Sequence, residues 1–426
     1  MTASGSNHAQ MEISVPQLEP RLKKRYKKLV LEHLNTNSEL AAGLRALPGE
    51  GKAFASTQGA YRYYDNPEVT LSKLAQPLKQ EGLEFITSEC QDYALIVHDW
   101  SDLRYDKQSL RKNDQIELGR HRGYEMQSSL LVSDRSGMPL AMLSLNLTAS
   151  DGIHSTEADQ VLERQAPLDQ LSETITYLRK EEFPLPLVHI IDREGDSIFH
   201  MRLWDARGDF FVTRANDYRY ARWEQERRSR LSELGRELEF KPDKVVDLTA
   251  QVQAQAFVAS QRVIFTDPAH RRLSNNKRKV IPGEPLALRL IVVQLRSPDE
   301  ALLAEWYLLT NLPESVSASR IAEWYYWRWT IESMHKLIKS AGLHIEQWQQ
   351  RSAAATAKRL LVAAMACIVV WQVQRADSPK MESFRQLLLR LSGRQIRPGQ
   401  APAPALFSGL WRLLAVCRRT KPHSWK

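Results

Sequence analysis

The sequence predicts an α/β protein with a β-rich insertion, flanked by a helical N-terminal region and a helical C-terminal segment. Three observations carry that expectation. Two short apolar runs, Tyr93–His98 and Leu187–Ile191, have the length and β-branched content of buried strands, and a stretch of helical spacing separates them. A block of β-type residues over about 238–310 precedes a long amphipathic segment. Finally, 426 residues are too many for one compact core and enough for two or three domains. The reading divides the chain into residues 1–77, 78–352 with the insertion at 238–310, and 353–426.

Taken in order, residues up to about Pro77 read as helical and basic. Arg21, Lys23, Lys24, Arg25, Lys27 and Lys28 crowd one short stretch, and Gly59-Ala-Tyr-Arg62-Tyr-Tyr-Asp-Asn-Pro67 adds aromatics and a cation before a proline stop. A charge run alone is more often a solvated helix face; the interleaved aromatics turn the reading towards nucleic acid. Met126–Val132 and Pro139–Leu147 flank the turn residues Ser133–Met138 and read as a hairpin. Thr156–Lys180 has helical spacing, and Phe210–Thr213 reads as a strand. In the insertion, Val245–Val258, Gln261–Phe265 and Ala287–Leu295 surround a basic loop containing Arg271, Arg272, Lys277, Arg278 and Lys279. One long helix is expected from about Ser319 to Ser340, with Gly342 after it. Beyond Ala353 come an apolar helix, a proline-rich link near Pro398–Pro404, and one more short helix.

Composition excludes several classes. Hydrophobic residues make up 43% and charged residues 26%, as in ordinary globular proteins, and the formal net charge of +9 suits a polyanionic partner. Cys90, Cys367 and Cys417 are widely spaced, which argues against a disulfide framework or structural zinc and for a reducing compartment. The first residues lack the apolar core of a secretion signal. The most apolar stretch, Leu360–Trp371, is about a dozen residues, too short to span a bilayer, so a cytosolic protein is expected with no membrane partner. Gly49-Glu-Gly-Lys52 lacks the spacing of a phosphate-binding loop, and no nucleotide cofactor is expected. Neither H-E-x-x-H nor G-x-S-x-G stands out.

The chemistry sits where the strands end. Asp99 follows the first buried run and Asp192 the second, and strand ends of open α/β sheets are where catalytic groups gather. Carboxylates suit hard cations such as Mg²⁺, and two such ions about 4 Å apart can serve both oxygens of a phosphoryl displacement. Taken singly, each Asp is more often a cap or turn residue. The expected long helix shifts the balance. Tyr325, Arg328, Glu332 and Lys339 fall within about 60° of one another at roughly 100° per residue, while Trp324, Trp327, Ile331, Met334 and Ile338 form a separate apolar stripe. One stripe anchors the helix, and the other offers a carboxylate for metal with a hydroxyl, a guanidinium and an amine for phosphate. On the helix alone, a surface ion-pair face is an equally good reading.

Tyr325-Tyr-Trp-Arg328-Trp-Thr-Ile-Glu332-Ser-Met-His-Lys-Leu-Ile-Lys339 resembles the Y-R-E-K signature of bacterial DDE transposases of the insertion-sequence-four family, closest to the cut-and-paste, composite-transposon type. Asp192-Arg-Glu-Gly-Asp196 resembles that family's D-R-E-A-D segment, with Gly195 in place of alanine, and His98-Asp99-Trp-Ser-Asp-Leu103 resembles the segment with the first acid. Gly59-Ala-Tyr-Arg62, Asn66-Pro67 and Arg122-Gly123-Tyr124 match further segments in order. His98 and Trp100 bracket the first Asp where small polar residues are commoner, and beyond Gln374 the likeness fades.

That resemblance implies a ribonuclease H-like core interrupted by the β-insertion, with Mg²⁺ (Mn²⁺ substituting) held by Asp99, Asp192 and Glu332. It implies phosphate contacts from Tyr325, Arg328 and Lys339, base stacking by Trp306 and Trp329, and end binding by the basic N-terminal residues with Arg62. Nicking of transposon ends, hairpin formation, strand transfer into target DNA and a homodimeric synaptic complex are implied in the same way. A catalytically silent DNA-binding repressor derived from such an enzyme is the alternative, and a simple nuclease is a closer one.

Overall fold

The computed structural model describes residues 13–34, 53–106, 112–223, 227–247, 253–272, 278–341, 343–397 and 399–419. The stretch 49–52, Lys277, Gly342 and Pro398 lie outside the described residues. Three helices come first: α1 (Pro20–Leu34), α2 (Ala53–Tyr64) and α3 (Leu71–Glu89). Next are β1 (Ala94–Arg104), β2 (Ile116–Leu118), β3 (His121–Ser133), β4 (Pro139–Ala149) and β5 (Gly152–Ser155). Then follow α4 (Pro167–Lys180), β6 (Leu187–Ile191), α5 (Ile198–Ala206) and β7 (Phe210–Arg214). The insertion adds β8 (Tyr220–Trp223), β9 (Arg227–Arg230), α6 (Leu231–Glu237), β10 (Lys241–Asp247) and β11 (Gln253–Phe265). It continues with β12 (Ala269–Arg272), β13 (Arg278–Ile281), β14 (Leu286–Arg296) and β15 (Leu302–Thr310). Five helices close the described chain: α7 (Ala318–Tyr326), α8 (Trp329–Lys336), α9 (Ala353–Arg375), α10 (Pro379–Ser392) and α11 (Ala403–Arg419).

The molecule is a mixed α/β fold on one thirteen-stranded sheet. Its order is β5-β4-β3-β1-β6-β7-β15-β14-β11-β8-β9, with β2 beside β3 and β10 beside β11. β1 is antiparallel to β3 but parallel to β6, and β6 is parallel to β7. The hairpin expected around Ser133–Met138 is β3–β4. The β-rich block does not stand apart: β15 pairs with β7, so its strands continue the sheet, except β12 and β13, which form a separate two-stranded sheet. Successive residues of β14 point to opposite faces, Leu290 and Val292 into one apolar cluster and Ile291 and Val293 into the other. Helices on both faces bury those clusters.

Five expectations need correction. The Thr70 hydroxyl caps α3, which then runs through Pro77 to Glu89, so the boundary drawn at residue 77 cuts a helix. The spacing over Thr156–Lys180 becomes a helix only from Pro167. The C-terminal segment holds an additional helix, α10. α9 extends well beyond the dozen apolar residues first apparent. By length and composition it could cross a bilayer, yet it is mostly buried, packed on α1, α3 and β4. The first three helices therefore share a core with the C-terminal segment.

The expected long helix at 319–340 is broken. Arg328, Thr330 and Ile331 bond to carbonyls three residues back, at 3.0, 2.9 and 3.1 Å, which tightens the turn and separates α7 from α8. The tip of the β3–β4 hairpin holds this break. Gly137, at φ 68°, lies so close to Trp327 that an added Cβ would come within 2.5 Å of the ring, and its carbonyl accepts the Thr330 hydroxyl at 3.0 Å. The apolar stripe survives the break: Trp324, Ile331, Met334 and Ile338 are buried in one cluster, with Trp327 packed against it.

Candidate active site

Pairing between β1 and β6 ends at His98 and Ile191, so the next residue on each strand is a carboxylate, Asp99 and Asp192. The two acids emerge side by side from adjacent parallel strands. Beneath them the strands are pinned by a pair of buried rings. His98 and His189 stack with centroids 5.1 Å apart, and His98 Nε2 lies 2.9 Å from His189 Nδ1. Burial holds both imidazoles neutral; His189 is pushed down to about 3, with Arg207 adding to the effect.

After β6 the chain turns sharply through Arg193–Gly195. Asp192 Oδ1 accepts the Arg193 amide at 2.6 Å, and Asp196 closes the turn. Gly195 fits because a Cβ there would fall 2.4 Å from Ile191 Cγ2. This close approach accounts for glycine at a position where the resembling family carries alanine.

α7 and α8 bring the third acid and the cations. The Tyr325 hydroxyl donates to Asp192 Oδ1 at 3.0 Å. Arg328 Nη2 donates to Glu332 Oε1 at 2.7 Å and lies 3.4 Å from Asp192 Oδ2, so one guanidinium spans two of the three carboxylates. Burial works against the Arg328 charge, but Asp192, Tyr325 and Glu332 more than offset it and hold its pKa above the ordinary value. Asp99 is pushed up to about 6, chiefly by burial. Arg328 and the Trp100 amide oppose that shift, while Glu332 and Glu194 add to it. Lys339 donates to the Asp102 carbonyl at 2.5 Å from a short π-helical turn, Leu337–Ala341. Burial lowers its pKa, opposed by Glu346 and Asp102.

Trp306 sits partly buried with its ring 5.7 Å from that of Tyr325, and Trp329 is 57% exposed beside Arg328. An open groove of about 1090 Å³ is lined among others by Trp100, Asp102, Glu125, Glu194 and Lys339, close in sequence to the acids, while Asp99, Asp192 and Glu332 are not among its lining residues. Asp99, Asp192, Glu332, Tyr325, Arg328, Lys339 and both tryptophans thus gather on one side of the sheet. The N-terminal cations do not join them. Arg21, Lys24, Arg25, Lys28 and Arg62 line a separate groove of about 520 Å³ between α1 and α2, and Lys23 and Lys27 lie outside its lining. Arg25 is committed to the Ser56 carbonyl, which ties the two helices.

Two site residues escaped the sequence reading. His335 lies one turn beyond Glu332, its Nδ1 3.5 Å from Asp99 Oδ2 and its Nε2 2.9 Å from the Ser128 hydroxyl. Burial, reinforced by Lys339, pushes it down to about 3, and a neutral ring protonated at Nδ1 points its N–H at Asp99. The three-residue spacing from Glu332 was the available signal. Glu194 entered only as part of the segment Asp192-Arg-Glu-Gly-Asp196, yet its charge raises Asp99, and burial together with Asp192 raises Glu194 in return.

Among the described residues, the His, Asp or Glu group with ligand atoms all within 4.8 Å of one another is Asp114, Asp151 and His154. Asp114 has structural work there: it accepts the Ala353 amide at 2.6 Å and the Tyr124 hydroxyl at 2.5 Å. The Asp99, Asp192 and Glu332 set is more open, with Arg328 between its second and third members.

No family model matches the chain, and no curated protein matches it. Among solved structures it is similar to the cryo-EM structure of the piggyBac transposase synaptic complex with hairpin DNA. Identity is 10%, the match covers 94% of this chain and 72% of that one, and the TM-score is 0.37.

Proposed function

We propose that the chain is a metal-dependent DNA transposase of the DDE type, acting through Asp99, Asp192 and Glu332. One observation carries the reading: acids from two adjacent strand ends and from α8 lie close together, with Arg328 bridging Asp192 and Glu332 and its charge acting on Asp99. The order β4-β3-β1-β6-β7, antiparallel on one side of β1 and parallel on the other, supports a ribonuclease H-like core. The strands beyond β7 are then its insertion.

The donor set fits Mg²⁺ or Mn²⁺. It offers hard carboxylate oxygens, and burial raises Asp99 to about 6, a shift that an adjacent cation would reverse. Asp99, Asp192 and Glu332 would hold the metal, which when bound supplies Lewis-acid stabilisation of the attacking and leaving oxygens. The chain's own side chains do the rest. Tyr325, kept neutral by burial, has a hydroxyl to donate to a phosphate oxygen. Arg328 is permanently charged and exchanges a carboxylate for a phosphate. Lys339 reaches the same groove. The exposed Trp329 ring offers a face to an extruded base, with Trp306 behind Tyr325. His335 steadies Asp99. End binding through the α1–α2 groove, a hairpin route, strand transfer and a dimeric synapse complete the proposal on the strength of the family resemblance.

The test is cleavage of a supercoiled plasmid carrying the native element's ends, in Mg²⁺ and in EDTA. Release of the flanked segment only with metal is expected, and Glu332→Gln should lower it by roughly 10³-fold or more while end binding persists. Tight end binding with no cut in either metal would favour the silent repressor; cleavage surviving Glu332→Gln would remove that residue from the triad.

A further inference from the structure

The hairpin β8–β9 forms the outer edge of the great sheet. Its register pairs Tyr220 with Arg230 and Arg222 with Arg228, while Ala221 and Ser229 lie opposite one another and are buried. Alternation therefore places Tyr220, Arg222, Arg228 and Arg230 together on the outward face. Tyr220 is 37% exposed, and Tyr218, just before the strand, is 65% exposed. The Arg228 guanidinium lies 4.0 Å from the Tyr220 ring centroid, and Arg230 lies 5.5 Å from it.

Charge on an edge strand commonly serves to discourage pairing with another chain. That purpose does not explain this face. Like charges directly opposite, as Arg222 and Arg228 are, cost stability, and an edge can be guarded without them. One tyrosine holds both guanidinium groups, Arg228 over its ring and Arg230 donating Nε to its hydroxyl at 3.1 Å, and arginines positioned on aromatic rings are well suited to phosphate recognition. The ion pair that Arg228 makes with Asp267, at 2.7 Å, is half exposed, and such pairs exchange at little cost.

The ribbon is also tied to the candidate active site. Asp196, which closes the turn begun at Asp192, accepts Arg219 Nε at 2.8 Å and the Asn216 amide at 2.9 Å, and the Arg219 carbonyl accepts the Leu231 amide at 2.9 Å. The turn that follows the second acid thus holds the chain just before β8, and Arg219 in that chain holds the residue just after β9. We infer that the outward face of β8–β9 is a docking surface for the sugar–phosphate backbone of double-stranded DNA whose reacting phosphodiester lies at the acids. The inference rests on the proposed function, and it adds an interface that the basic α1–α2 groove does not supply.

The test is fluorescence anisotropy with a mixed-sequence duplex of about 40 base pairs in EDTA, titrated from roughly 50 to 300 mM KCl. Arg228→Ala/Arg230→Ala should weaken binding about tenfold and flatten the log–log salt slope by about 2, because each arginine neutralises one phosphate. Arg228→Lys/Arg230→Lys should return the slope, which separates a missing charge from a misfolded ribbon. An alanine variant with the affinity and slope of the wild type would overturn the inference while leaving the proposed function standing. A wild-type protein that binds no duplex would sink both. An equal loss of binding to polyglutamate would reassign the ribbon to an acidic protein partner.

Discussion

Arg328 and Arg359 are both withdrawn from water, at 7% and 0% exposure, and they are solvated in opposite ways. Arg328 is bound by carboxylates, and its pKa stands above the ordinary value. Arg359, on α9, packs its guanidinium 3.9 Å from the Trp348 ring centroid, donates to Gln350 Oε1 at 3.1 Å, and meets His33 Nε2 at 3.3 Å. Burial lowers it to about 10, with Tyr64 and Tyr105 opposing, so it stays charged at neutrality. A cation held by an aromatic face and by groups from α1 and the chain before α9 is a structural joint. A cation held by partly exposed acids can change partners.

The sharpest test of that contrast is Arg328→Ala. If the guanidinium serves the site, cleavage should fall roughly 10²- to 10³-fold, the scale of losing one preorganised charge donor. The thermal midpoint should change little in EDTA, and Mg²⁺ should raise it more in the variant than in the wild type, because the acids lose their internal counter-charge. A variant that fails to fold, or that cuts at the wild-type rate, would erase the distinction between the two arginines.

Arg359→Met probes the other side. The substitution removes the cation–π interaction and leaves the Gln350 Oε1 and His33 acceptors buried without their donor, costing about 3 kcal/mol. A lowered urea midpoint with unchanged cleavage per folded molecule is expected. A selective loss of cleavage at full stability would place Arg359 in the working machinery.

The site was legible in the sequence wherever local pattern decides geometry. Two apolar strands each ending in Asp, and a tyrosine, arginine and glutamate at helical spacing, marked Asp99, Asp192, Tyr325, Arg328 and Glu332 as candidates, and it was the resemblance to a known signature that joined them into one site. The break between α7 and α8 was not legible, because it depends on Trp327 meeting Gly137 from a hairpin almost two hundred positions away. The continuity of the insertion with the core sheet was hidden for the same reason: the pairing of β15 with β7 is long-range. α3 passes through Pro77, which local rules treat as a break, since packing on α9 and β4 outweighs one missing backbone bond. His335 and Glu194 were overlooked because their roles lie in contacts across the fold.

The smallest expected effect returns to the structural joint. His33 is fully buried and pushed down to about 3, chiefly by burial and then by the Arg359 charge, against the opposing bond to the Leu29 carbonyl at 2.8 Å. With Nδ1–H donated to Leu29, Nε2 is left as the acceptor facing Arg359, a geometry open only to the neutral ring. In the unfolded chain this histidine takes up a proton near pH 6.5, while the folded protein resists it down to about 3. The unfolded state binds more protons across that window, so stability falls as pH drops through it, by about 1.4 kcal/mol per unit from this group. His33→Gln removes the proton but leaves a polar side chain, and should flatten the urea-midpoint profile between pH 6.5 and 5 by about that slope. A variant profile parallel to the wild type's would mean that Arg359 tolerates a second positive charge beside it, and the joint would then be looser than the packing around Trp348 implies.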